Sequence, residues 1–133
     1  MAFYAGPQGA TTISPVAIEP LVKVGKLEVA DGSTAFAAFG LPRDAVIIGA
    51  YTIAMGANAT QTVNVGFTAG GTDIINAFAP NSTGYAAAGA ATGSAVGTKL
   101  TADKLVYLKA SATLTNPVFV KVEYYIPQQG MNF

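Results

Sequence analysis

Acid–base chemistry in this chain would fall to its carboxylates, because histidine, the commonest proton-transfer group and transition-metal ligand, is absent. Cysteine is absent as well, which removes disulfides, thiol nucleophiles and thiolate metal sites together. Enzymes can work with paired carboxylates, yet Glu19, Glu28, Asp31, Asp44, Asp73, Asp103 and Glu123 lie singly along the 133 residues. Several have a simple structural reading. Asp31 opens a turn with Gly32-Ser33, Asp44 follows the Leu41-Pro42-Arg43 corner, and Asp103 stands before Lys104 at the start of a strand. No catalytic residue, metal site or cofactor is expected.

Two near-motifs fail on context. Gly93-Ser94-Ala95-Val96-Gly97-Thr98-Lys99 has the composition of a phosphate loop, but the Gly-Lys-Ser/Thr order is broken and no strand–loop–helix unit surrounds it. Asn58-Ala59-Thr60 and Asn81-Ser82-Thr83 match glycosylation acceptors. Such triplets are common by chance, the first twenty residues have neither the basic nor the apolar region of a signal peptide, and polar loop chemistry accounts for both. Acidic and basic residues balance at seven each with no basic stripe, so nucleic acid is not an expected partner. The most apolar run, Ala45 to Ala57, is too short to cross a bilayer and reads as a buried strand.

The elements that would carry these residues are strands. In Pro117 to Pro127 one face holds Val118, Val120, Val122 and Tyr124, and the other Phe119, Lys121, Glu123 and Tyr125, the period-two pattern of a strand with one buried face. Leu21 to Ala30 alternates through Val22, Val24, Leu27 and Val29 if a bulge lies near Gly25. Further strands are predicted at 33–39, 45–55, 60–68, 72–79 and 105–111, with a short one at 94–100. Gly56-Ala57-Asn58 and Ala69-Gly70-Gly71 read as hairpin links. About eight strands at regular spacing predict an all-β, two-sheet sandwich.

Composition then points to association. Apolar residues make up 51% of the chain and charged residues 11%, against roughly 25% charged in an ordinary soluble domain. Part of the surface is therefore expected to face other protein. Residues 1–20 combine Gly, Pro, Thr and Ser with Phe3, Tyr4, Ile13, Val16 and Ile18 and read as an extended arm. Residues 21–127 form the sandwich domain and 128–133 a short tail. The stretch Gly84 to Gly97, GYAAAGAATGSAVG, is uncharged and small-sided. It reads as a loop lying close against another surface, as small residues do where backbones approach.

The Gly40-Leu41-Pro42-Arg43-Asp44 corner before Val46-Ile47-Ile48, the Val63-Asn64-Val65-Gly66 unit and the closing strand ending Tyr124-Tyr125-Ile126 resemble the head decoration, or cement, proteins of tailed bacteriophages, of jelly-roll type. The resemblance covers roughly residues 32–126. It implies a jelly-roll-like sandwich made in the host bacterial cytoplasm and added to the outer surface of a capsid. Such a protein is often a homotrimer that clamps neighbouring major capsid subunits. On this reading the capsid or subunit contacts fall to Phe3, Tyr4, Ile13, Tyr85, Ala88, Ala91 and Phe133. No nucleic acid, membrane, small-molecule substrate or cofactor is involved. A second reading, a tail or fibre module recognising a host-surface glycan, requires aromatic and polar side chains in exposed loops, where this chain offers mostly Ala, Gly, Ser and Thr.

Overall fold

The computed structural model describes residues 20–127. Their alternating runs form eight strands: β1 (Leu21–Leu27), β2 (Phe36–Leu41), β3 (Val46–Ala54), β4 (Val63–Gly66), β5 (Ile75–Phe78), β6 (Gly84–Ala87), β7 (Lys104–Ala110) and β8 (Val118–Tyr125). Short 3-10 turns occupy Val29–Asp31 and Gly89–Ala91. The strands pair as a nested hairpin, β1 with β8, β2 with β7, β3 with β6 and β4 with β5, all antiparallel. Two more ladders, β3 with β8 and β4 with β7, roll that hairpin into two sheets of four, ordered β1-β8-β3-β6 and β2-β7-β4-β5. The chain changes sheet at every connection except the β4–β5 turn. That is the jelly-roll arrangement of an all-β sandwich.

Strand β8 follows its sequence pattern residue for residue: Val118, Val120, Val122 and Tyr124 are buried, and the four residues that alternate with them lie half-buried on the outer face. The core between the sheets is mainly aliphatic, with Leu27, Ile47, Val63, Val65, Ile75 and Leu108 fully buried. Aromatic rings stand at its margins, where Phe36, Phe39, Phe67 and Phe78 pack against it partly buried. Tyr124 is the one buried aromatic among the described residues.

Strand β1 departs from its predicted register. No bulge occurs at Gly25, and the ladder to β8 runs unbroken from Leu21 to Leu27. Gly25 and Leu27 therefore face inward, and Val22 and Val24 face outward at 46% and 51% exposure. The glycine is explained by close sheet packing: a Cβ there would sit 2.8 Å from that of Ala38 and 3.0 Å from Leu108. The bulge is across the sandwich, in β2, where Ala38 is the extra residue between Ala37 and Phe39.

Two further expectations are corrected. The Gly56–Asn58 link is not a hairpin, since β3 and β4 belong to different sheets; the Ala69–Gly71 link does join the paired strands β4 and β5. Residues 94–100 form no strand, contributing only the isolated bridges Ile47–Val96 and Val46–Lys99. The eighth strand is β6, inside the stretch read as a loop, because its small residues can pair beside the second half of β3.

One core position is chemically mismatched. Thr52, 1% exposed on β3, buries a hydroxyl with no hydrogen-bond partner. A methyl of similar shape removes that desolvation cost, so Thr52→Val is expected to stabilise the fold by about 1 kcal/mol. Urea denaturation measures this, and a loss of stability would show that the hydroxyl is satisfied in solution.

Candidate interaction surface

The ladders of the first sheet bring its outward residues onto one surface. Val22 and Val24 come from β1, Phe119 and Tyr125 from β8, Tyr51 and Ile53 from β3, and Tyr85 from β6. Antiparallel pairing places Tyr51 opposite Lys121 and Ile53 opposite both Phe119 and Tyr85. Cross-strand neighbours at this spacing are in side-chain contact, and the face is dominated by aromatic and branched aliphatic groups. The second sheet is more polar outside, with Asn64 paired to Lys109 and the Asn64 carboxamide accepting the Ala77 amide at 2.8 Å.

Charge on the first face is held in place over the rings. Lys121 Nζ lies 4.8 Å from the Tyr51 centroid and 4.9 Å from that of Tyr85, and 3.3 Å from a Glu123 carboxylate oxygen. The two tyrosine rings are stacked, their centroids 5.2 Å apart. Gly49 makes room for this arrangement, since a Cβ there would sit 2.5 Å from the Tyr51 hydroxyl. Lys26 Nζ similarly lies 5.2 Å from the Phe119 centroid and 3.3 Å from Glu28. Hydrogen bonding to Glu123, reinforced by desolvation, raises the Tyr51 pKa, and hydrogen bonding to Tyr85 raises that of Lys121. Both shifts favour the neutral phenol and the charged ammonium.

Of the residues singled out from the sequence, Tyr85 is on this surface, 57% exposed. Ala88 is not. It is 3% exposed and belongs to the core of its own chain, with its amide donating to the Ala50 carbonyl at 2.9 Å. Ala91 is half-buried against the same core. Phe3, Tyr4, Ile13 and Phe133 lie outside the described residues. Sequence reasoning passed over Tyr51, Phe119, Lys121, Glu123 and Tyr125 as interaction residues. The signal that could have found them was the second half of the β8 alternation, an outward face with two aromatics.

The small side chains of Gly84–Gly97 serve a close approach within the chain itself. Gly93 donates to the Ile74 carbonyl and Ala95 to that of Asp73, each at 2.8 Å, and Gly97 to that of Ile47 at 2.7 Å. A Cβ at Gly93 would collide with the Thr72 and Asp73 backbone. After β6 the segment thus runs across the side of the sandwich, joining the start of β3 to the start of β5.

Among the described residues, no group of three or more acidic, histidine or cysteine side chains could hold a metal ion and no helix is long and apolar enough to cross a membrane. A depression of about 330 Å³ beside β2 and β7, lined by Leu41, Pro42, Asp103 and Leu105 among others, contains one carboxylate. That carboxylate already accepts the Arg43 amide at 2.8 Å.

No protein-family model matches the chain, and no curated protein matches it. Its fold is similar to that of a chain in the cyanophage Pam1 capsid asymmetric unit, with a TM-score of 0.61 and 21% identity over 90% of this chain and 95% of that one. It is also similar to a chain in the acid-stable capsid structure of Helicobacter pylori bacteriophage KHP30, with a TM-score of 0.61 and 14% identity over 82% of this chain and 89% of that one. At these identities the likeness is one of fold.

Proposed function

We propose that this protein is a non-enzymatic structural component of a bacteriophage virion, which decorates the outer surface of the capsid and stabilises it by bridging major capsid subunits. The observation that carries the reading is the jelly roll itself, similar in fold over nearly its whole length to chains found in two phage capsids. The apolar outer face of the first sheet gives such a protein a surface to bury. The low charge content is that of a chain whose surface is shared with neighbours.

The protein acts as a homotrimer, and residues 1–20 reach a neighbouring subunit through Phe3, Tyr4 and Ile13. Glycan recognition finds less support. The stacked Tyr51 and Tyr85 rings are the natural sugar platform, and Lys121 already lies over both.

The test is addition of the purified protein to capsids that lack it, with occupancy read by electron cryomicroscopy. The full chain is expected to add at ordered positions and to raise the temperature at which the shells break. A chain lacking residues 2–14 is expected to keep its β-rich circular dichroism and lose most of its occupancy. Capsids that take up no protein would overturn the reading, and full occupancy by the shortened chain would overturn the role of the arm.

A further inference from the structure

We infer that the outer face of the first sheet is the seat for residues 1–19 of a second copy of this chain. The inference rests on reading residues 1–20 as an arm, and it does not depend on the capsid.

The receiving surface is apolar where β1 meets β8. Val22 and Val24 are 46% and 51% exposed, and the pairing sets Val24 opposite Lys121 and Val22 opposite Glu123, between the flanking Phe119 and Tyr125. The cations on this face are engaged, Lys26 with Glu28 and Lys121 with Glu123. An occupant therefore needs apolar side chains and little charge. Residues 1–19 have that chemistry: Phe3, Tyr4, Ile13, Val16 and Ile18 are spaced along a segment without lysine or arginine, whose sole charged side chain is Glu19.

The point where the segment ends selects a second copy over its own face. It joins the sandwich at Pro20, immediately before β1, the edge strand of this sheet. Proline disfavours the helical region for the residue before it, so the Glu19-Pro20 and Ser14-Pro15 pairs in the sequence favour an extended run. An arm continuing in line with β1 would lead away from its own sandwich, whereas lying on its own outer face would need a reversal at Pro20. Nineteen extended residues reach about 60 Å, and four strands span only about 15 Å. The arm is long enough to leave one sandwich and cross the face of the next. Exchange of this kind is head-to-tail, and a head-to-tail contact closes into a ring when the rotation permits, which suits a trimer.

The experiment compares three proteins in free solution by sedimentation velocity: the full chain, a chain lacking residues 2–14, and the full chain carrying Val24→Glu. Val24 is half-exposed, so the substitution leaves the monomer fold nearly unchanged, and circular dichroism checks this. The full chain is expected to sediment as a closed oligomer, and each variant alone as a monomer. The decisive sample is the mixture, because the shortened chain retains an intact face and the Val24→Glu chain an intact arm. A one-to-one heterodimer is expected from the mixture alone. A monomeric full chain, an oligomer surviving either change, or a mixture that stays monomeric would each overturn the proposal. No capsid is present, so failure here is distinct from failure to decorate one.

Discussion

Ala88→Glu is expected to destabilise the chain itself by at least about 3 kcal/mol, the cost of leaving a charge buried and unpaired. Ala88 is 3% exposed, and its amide is tied to the Ala50 carbonyl beside the core. The site therefore has neither water nor a cation for the carboxylate. Ala90→Glu, two residues along on an exposed position of the same segment, is expected to stay within about 0.5 kcal/mol. Urea denaturation of the two variants separates a core role from a surface role. Equal stability in both would show that Ala88 reaches solvent, and would return this stretch to the surface that its composition alone suggests.

Asn58→Ala is expected to cost about 2–3 kcal/mol, because the Asn58 carboxamide ties together two connections at the same end of the sandwich. Its Oδ1 accepts the Thr115 and Asn116 amides at 2.8 and 2.9 Å, and its Nδ2 donates to the Gly56 carbonyl at 3.3 Å. Its own amide donates to the Pro80 carbonyl at 3.0 Å. The side chain is 0% exposed, so alanine would leave two backbone donors without an acceptor, each costing roughly 1–3 kcal/mol where water cannot replace it. Asn116→Ala, which removes a single hydrogen bond to the Ala57 carbonyl, is expected to cost about 1 kcal/mol. A shift in the urea midpoint at unchanged slope measures both. A loss at Asn58 no larger than that at Asn116 would show that water satisfies the freed amides. The same burial closes the Asn58-Ala59-Thr60 triplet to glycosylation in the folded protein, since the acceptor nitrogen is inside.

Period-two alternation belongs to a strand alone, and it survives wherever one face is buried and the other meets solvent. That is why β8 was legible to the residue from Pro117 to Pro127, and why the all-β sandwich followed from repeated short runs. The missing histidine and cysteine removed most chemistry by composition alone. Partner choice has no such local signature. The β1–β8 ladder joins opposite ends of the described chain. The side on which Val22 and Val24 fall depended on Gly25 facing inward, where Ala38, bulged from the other sheet, leaves no room for a Cβ. The same limit governs Gly84–Gly97. Its small residues reported correctly that two backbones come close, but composition cannot say whose, and the fold supplies the Thr72–Asp73 backbone of the same chain. The aromatic face was split among β1, β3, β6 and β8, and only antiparallel registers set across the whole length of the chain brought Tyr51, Tyr85 and Lys121 into contact. Sequence by itself determined which residues alternate and what chemistry is absent; the tertiary structure decided which strands meet, because side-chain periodicity encodes a strand's two faces and not the identity of its neighbours.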